Sequence, residues 1–200
     1  MPKSKNKLPA RWTDYTDIGT IIPDTPIICS KVPLADNFRQ LFTPVALVKF
    51  IERGYGSNGC RLGMVIDLTN TDRYYSGDCF ESDGVRYVKL AIPGSQQEDV
   101  PPNSLVDEFC RVVDTCFEQF VADKLLVVVH CTHGVNRTGY MVCRYLMRKF
   151  GCSASDAIEI FNKARGHGME KYIDVLTGDS MENTVDVASG DAGGRDGTNN

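Results

Sequence analysis

A chain of 200 residues with 42% apolar content has room for one well-buried core and is too short for two full catalytic domains. Its net charge of −4 at first disfavours a nucleic-acid partner, but five acids against one base lie in residues 178 to 200, so residues 1 to 177 are neutral and free to carry a local basic cleft. No run approaches the roughly 18 apolar residues of a membrane span, no apolar stretch follows the basic first residues, and the eight cysteines are scattered through regular patterns without a Cys-x-x-Cys pair. These features argue against a disulfide framework and a zinc site, and they lead us to expect a nuclear or cytoplasmic protein that is not secreted, does not bind membranes and needs no metal or cofactor.

In chain order, residues 1 to 10 are rich in Lys, Pro and Asn and are expected to form a flexible segment before the packed domain begins at Arg11-Trp12. Ile27 to Ser30 predicts a short strand. Thr43 followed by Pro44 supplies an N-cap and a proline at the first helical position, giving a helix over Val45 to Arg53 that Gly54 stops. Met64 to Leu68 and Val85 to Leu90 are short apolar runs suited to buried strands. Pro93, Gly94, Pro101 and Pro102 bracket an irregular segment that holds Glu98 and Asp99.

Apolar residues then recur at helical spacing from Leu105 to Val121. Leu125 to Val129 is a continuous apolar run, typical of a central parallel strand covered on both faces. Tyr140 to Phe150 is helical and ends at Gly151, and Ser153 with Asp156 forms a capping box for a last helix through Ala164, with Ala157, Ile158, Phe161 and Ala164 inward. Strands alternating with helices predict a single α/β domain over residues 11 to 177, a central, mostly parallel sheet flanked by helices. Residues 178 to 200, with little to bury, are expected to be disordered.

The segment LLVVVHCTHGVNRTG, Leu125 to Gly139, runs a buried strand into a loop that ends at a helix N-terminus, and its core is Cys-x5-Arg. Such a loop aims successive backbone N–H groups of Thr132, His133, Gly134, Val135 and Asn136 at an oxyanion, while the helix adds unsatisfied donors and the positive end of its dipole. The same field favours a thiolate, making Cys131 a nucleophile at neutral pH. Arg137 offers a planar fork to two phosphoryl oxygens, which lysine could not. Thr138 is placed to hydrogen-bond the sulfur, His130 to fix the loop from behind, and Asn136 and the Gly134 turn to hold its shape. The reaction read from these residues is in-line attack by Cys131 on phosphorus, followed by hydrolysis of a phosphocysteine.

HCTHGVNRTGYMVCRYLM resembles the signature of the RNA 5′-phosphatase branch of the cysteine phosphatase superfamily, that is, the metazoan and baculoviral RNA tri- and diphosphatases and, more distantly, the triphosphatase half of animal capping enzymes. The likeness extends to LPARW near the start, to VIDLTNTDRYY from Val65 to Tyr75 and to FNKARGHGMEK from Phe161 to Lys171, and so covers roughly residues 8 to 176. It implies metal-independent removal of the γ and then the β phosphate from 5′-triphosphorylated or diphosphorylated RNA, with a stop at the diphosphate as the other outcome, and we expect a monomer. Two alternatives stand beside it: a dual-specificity protein phosphatase, and a catalytically silent receptor for triphosphorylated RNA ends.

The resemblance also implies an unusual or absent general acid, for which Asp99 is the candidate. A tyrosine phenolate, with a pKa of about 10, leaves poorly without a proton. The leaving group of a phosphoanhydride is a phosphate ionising near about 6, which departs without one. Around the bowl the family pattern RGH-x-x-E-R places cations for neighbouring phosphates, so Arg165, His167 and Lys171 are candidates for substrate contact. Here Lys171 replaces the second arginine, and the short polar insert usual before Tyr172 is missing. Arg73 and Tyr74 are candidates to meet the RNA by charge and stacking, and Asp67 is expected to anchor a loop.

Overall fold

The computed structural model describes residues 7–93 and 100–178. Its five strands are β1 (Ile18–Ile21), β2 (Ile27–Ser30), β3 (Arg61–Asp67), β4 (Arg86–Lys89) and β5 (Leu125–His130), in the spatial order β1-β2-β5-β3-β4. β1 runs antiparallel to β2, and every other pair is parallel. The helices are α1 (Pro44–Tyr55), the short α2 (Asp78–Glu81), α3 (Asn103–Asp123), α4 (Asn136–Phe150) and α5 (Ala154–Arg165).

The alternation of strand side chains sorts this core into two layers. From β5, Val127 and Val129 enter one layer with Phe109 of α3, Tyr140 of α4 and Phe161 of α5. Leu126 and Val128 enter the other with Leu47 and Ile51 of α1, Trp12 and Phe80. Because β5 is covered on both faces, its apolar run is continuous, as expected of a central parallel strand. On β3 the register with β5 slips by one between Leu62 and Met64. Gly63 is the extra residue, and a Cβ there would come within 2.8 Å of the Leu125 side chain.

The caps lie where the sequence places them. Thr43 Oγ1 accepts from the Ala46 amide at 3.2 Å, Ser153 Oγ accepts from the Asp156 amide at 3.1 Å, and Gly151 closes α4 at φ 66°. Three elements differ from the sequence reading, the first being α2, a single turn where that reading has no element between its second and third strands. β1 was not expected: Ile-Gly-Thr-Ile is short and weakly patterned, and it is held by pairing with β2 and by α5, whose Ala164 carbonyl would lie 2.4 Å from a Cβ at Gly19. α4 starts at Asn136 rather than Tyr140, which puts Arg137 and Thr138 in the first turn of the helix.

Residues 7 to 10, the end of the segment read as flexible, make contacts of their own. The Ala10 carbonyl accepts from His133 Nε2 at 2.7 Å, and Leu8 packs on the second core layer. The expectations for residues 1–6 and 179–200 lie outside the described residues. No helix among the described residues is long and apolar enough to cross a membrane. The parallel strands β2, β3 and β5 end at one edge of the sheet, so the loops that follow Asp67 and His130 meet there.

Candidate active site

Between β5 and α4, residues 131 to 135 wrap into a bowl whose carbonyls are held outward one after another. The Cys131 carbonyl accepts from His130 Nδ1 at 3.3 Å, that of Thr132 from the Val32 amide at 3.2 Å, that of His133 from Arg165 Nη2 at 3.0 Å and that of Gly134 from Arg165 Nε at 3.0 Å. In a trans peptide the carbonyl and the next N–H point opposite ways. Four outward carbonyls therefore turn the amides of Thr132, His133, Gly134 and Val135 into the bowl, and α4 begins directly after them. Gly134 has φ 67°, and a Cβ there would lie 2.0 Å from the Ser30 carbonyl oxygen, so the turn pressed against β2 requires glycine.

Cys131 lies at the bottom of the bowl and is 4% exposed. Burial alone pushes its thiol up, but the Arg137 charge, the Thr138 hydroxyl and the amides of Thr138 and His133 together hold it below the ordinary thiol value. The Thr138 hydroxyl is buried without a committed partner and can donate to the Cys131 sulfur, one of the interactions that hold the thiol down. Arg137 is braced along one side. Its Nη1 donates to the carbonyls of Ile92 at 2.8 Å and Leu68 at 3.3 Å, and Nη2 donates to Thr132 Oγ1 at 3.0 Å. One donor on Nε and one on Nη2 remain for an anion.

Because the Cys131 thiol is held low, its alkylation by iodoacetamide should already be at its plateau at a pH where Cys29 and Cys143, whose thiols burial pushes up, are still protonated, and the rate should fall as pH drops through the depressed value. Thr138→Val removes one donor to the sulfur and should move that midpoint upward. A midpoint at the ordinary thiol value in the wild-type protein would contradict this electrostatic picture.

Behind the bowl, His130 is fully buried, and burial keeps it neutral against the pull of Asp67. Its Nδ1–H faces the Cys131 carbonyl, so Nε2 accepts from the Tyr75 hydroxyl at 2.6 Å. Asp67, at the end of β3, is buried. Burial would raise its carboxyl, but the His130 ring when it is protonated, together with Lys89 and Thr69, outweighs that and holds it below the usual carboxylate range. It accepts from the Thr69 amide at 2.7 Å, the Tyr87 hydroxyl at 2.9 Å and Lys89 Nζ at 2.9 Å. It thus anchors the loop after β3, as the sequence suggested.

The bowl opens into a polar cavity of about 330 Å³. Of the rim candidates, Lys171 lines this cavity, and its amide and that of Glu170 donate to Asn136 Oδ1 at 3.1 and 2.8 Å. Asn136 therefore ties the rim to the start of α4. Arg165 is corrected from a substrate contact to a buried brace. It is 1% exposed, and besides the loop carbonyls its Nη1 and Nη2 donate to Thr16 Oγ1 and the Thr16 carbonyl, both at 2.8 Å.

His167 is likewise drawn away from the cavity wall. Its Nε2 lies 3.0 Å from both the amide and the hydroxyl of Thr16, and its ring meets Tyr15 edge-on. Tyr74 is corrected from a base-stacking platform to a core residue, since its ring packs toward Phe38 and offers no open face. Arg73 is exposed, donates to the Lys7 carbonyl and lies over the outside of Tyr74. Asp99 lies outside the described residues. Sequence reasoning did not assign Arg11, Tyr15, Glu170 and Tyr172, which share the cavity wall with Cys131 and Arg137. The LPARW block was the only signal toward Arg11.

This is an anion bowl around a thiolate with a braced arginine, and its chemistry is nucleophilic attack on a phosphoryl group. Residues 56–176 match the family model for the catalytic domain of dual specificity phosphatases, and the chain belongs to that family. Among its relatives, a tyrosine-protein phosphatase of Autographa californica nuclear polyhedrosis virus is 44% identical over 163 residues, covering 82% of this chain and 94% of that one. The human RNA/RNP complex-1-interacting phosphatase is 38% identical over 182 residues, covering 87% of this chain and 53% of that protein, so the chain spans about half its length. The Caenorhabditis elegans homolog of that phosphatase is 41% identical over 173 residues, 82% of this chain and 72% of that one. The fold is shared with solved phosphatases, for example PTPMT1 in complex with PI(5)P, with a TM-score of 0.58 and 20% identity over 88% of this chain and 99% of that one.

Proposed function

We propose that this phosphatase removes the γ and then the β phosphate from 5′-triphosphorylated RNA, leaving a 5′ monophosphate. The observation that carries the reading is Lys171, a second cation on the wall of the cavity that opens from the Cys131 bowl, where a substrate with further phosphates beyond the reacting one needs charge. Relatives named for an RNA/RNP complex support it. Cys131 attacks the terminal phosphorus in line. The S–P bond forms as the bond from phosphorus to the bridging oxygen breaks, and the shortened RNA leaves as a phosphate that needs no proton. Water then attacks the phosphocysteine, the S–P bond breaks, and the departing thiolate is received by the Thr138 hydroxyl and the Arg137 charge. The bowl amides and Arg137 neutralise the charge on the transferring group throughout, so no step calls on a metal ion. His130 and Arg165 act through loop shape. A reducing setting, nucleus or cytoplasm, keeps the thiolate active.

The name of the viral relative favours a second reading, a protein tyrosine phosphatase. RNA labelled at the γ or β position, chromatographed after reaction with and without chelator, separates the two when run beside phosphopeptides. The RNA reading expects free phosphate from both labels in both conditions, and efficient turnover of phosphopeptides alone would overturn it. Asp99→Asn is expected to slow aryl phosphate hydrolysis several-fold more than RNA triphosphate hydrolysis, because only the aryl leaving group gains from a proton. Equal losses on the two substrates would contradict the leaving-group argument.

A further inference from the structure

A carboxylate, Glu170, stands on the wall of a cavity otherwise built for an anion, and it is paired with Arg11 on the same wall. The pair is loose. Arg11 Nη2 and Nη1 lie 3.3 and 3.5 Å from the two Glu170 oxygens, beyond the roughly 2.7–2.9 Å of a tight charge-assisted bond. Both side chains are more than half exposed, at 59% and 51%, so the contact is weak and solvent can take either partner. It is also not needed to pin the N-terminal segment. Ala10 is held by His133 at 2.7 Å and Trp12 Nε1 donates to the Val32 carbonyl at 2.9 Å, which fixes the chain on both sides of Arg11. Arg11 itself sits at φ 57°, in the left-handed region that a residue with a Cβ enters only at a cost in strain.

We propose that Arg11 is the specificity residue for the second phosphate of a 5′-polyphosphate end, and that Glu170 holds it at the cavity mouth until that phosphate arrives. The inference rests on the RNA 5′-phosphatase reading and adds to Lys171 a residue from the opposite end of the chain. A monophosphate ester places its one charged group in the bowl and leaves the Arg11–Glu170 pair as it is. An anhydride brings a second anion to the mouth, where a guanidinium gains more from a two-point phosphate contact than from a long, hydrated carboxylate pair. Glu170, already half exposed, returns to water. Before the exchange its charge opposes any anion at the mouth, so arginine and glutamate act on polyphosphate binding with opposite signs.

The test is the ratio of kcat/KM for triphosphorylated RNA to kcat/KM for p-nitrophenyl phosphate, measured on the full chain. Arg11→Gln is expected to lower this ratio about tenfold through KM for the RNA, Arg11→Lys to restore part of it, and Glu170→Gln to raise it about threefold. If the pair merely braces the segment, either break harms both substrates alike, so two variants that shift the ratio in the same direction, or leave it unmoved, overturn the proposal. Wild-type protein that releases no phosphate from the RNA overturns the function reading and this inference together. Release with an unmoved ratio overturns this inference alone.

Discussion

Cys131→Ser is expected to lower turnover of every substrate by roughly four orders of magnitude or more while triphosphorylated RNA still binds. The bowl owes its shape to His130, Val32 and Arg165 holding carbonyls, in bonds that do not depend on the sulfur, so the anion site survives the substitution. What is lost is the low ionisation. A serine hydroxyl in the same field stays protonated at neutral pH, and the Thr138 hydroxyl beside it is no base that could activate it. Direct binding of triphosphorylated RNA to the inactive protein, with a steep salt dependence, is the measurement. Residual turnover near the wild-type rate would place the nucleophile elsewhere.

Arg165→Met is expected to destabilise the fold by about 3–5 kcal/mol and to reduce kcat about 100-fold in whatever protein remains folded. Four acceptors, the carbonyls of Thr16, His133 and Gly134 and the Thr16 hydroxyl, lose a charged donor whose side chain is buried. Two of those carbonyls set the direction of the Gly134 and Val135 amides, so the damage reaches the bowl although Arg165 meets no substrate. Denaturant unfolding measures the first effect and the pH midpoint of Cys131 alkylation the second, which should rise. A variant of wild-type stability with weakened RNA binding alone would return Arg165 to the rim.

The bowl was legible in the sequence because its parts are contiguous: an apolar strand, Cys-x5-Arg and a helix start follow one another from Leu125, and local geometry carries them to the sheet edge. The surrounding rim was less so, because it is assembled from segments far apart in sequence. Arg11 and Tyr15 reach the cavity through contacts between the N-terminal segment and residues 133 and 170, which no periodicity announces. Tyr74 and Tyr75 are neighbours in a loop without a repeating pattern; one fills the core and the other backs His130. Arg165 did carry a signal. It lies four residues after Phe161 and eight after Ala157, on the buried stripe of α5, where a charged residue must find partners. β1 was too short and too mixed to register before its pairing with β2 was known.

Acid quenching during turnover of RNA labelled in the γ phosphate tests the account most directly, since the bowl, the nucleophile and the substrate are read in one experiment. The account predicts that label appears on the protein as phosphocysteine at Cys131, is chased off by unlabelled substrate, and is absent from Cys131→Ser. Phosphate released at the full rate with no labelled protein at any time of quenching would contradict it.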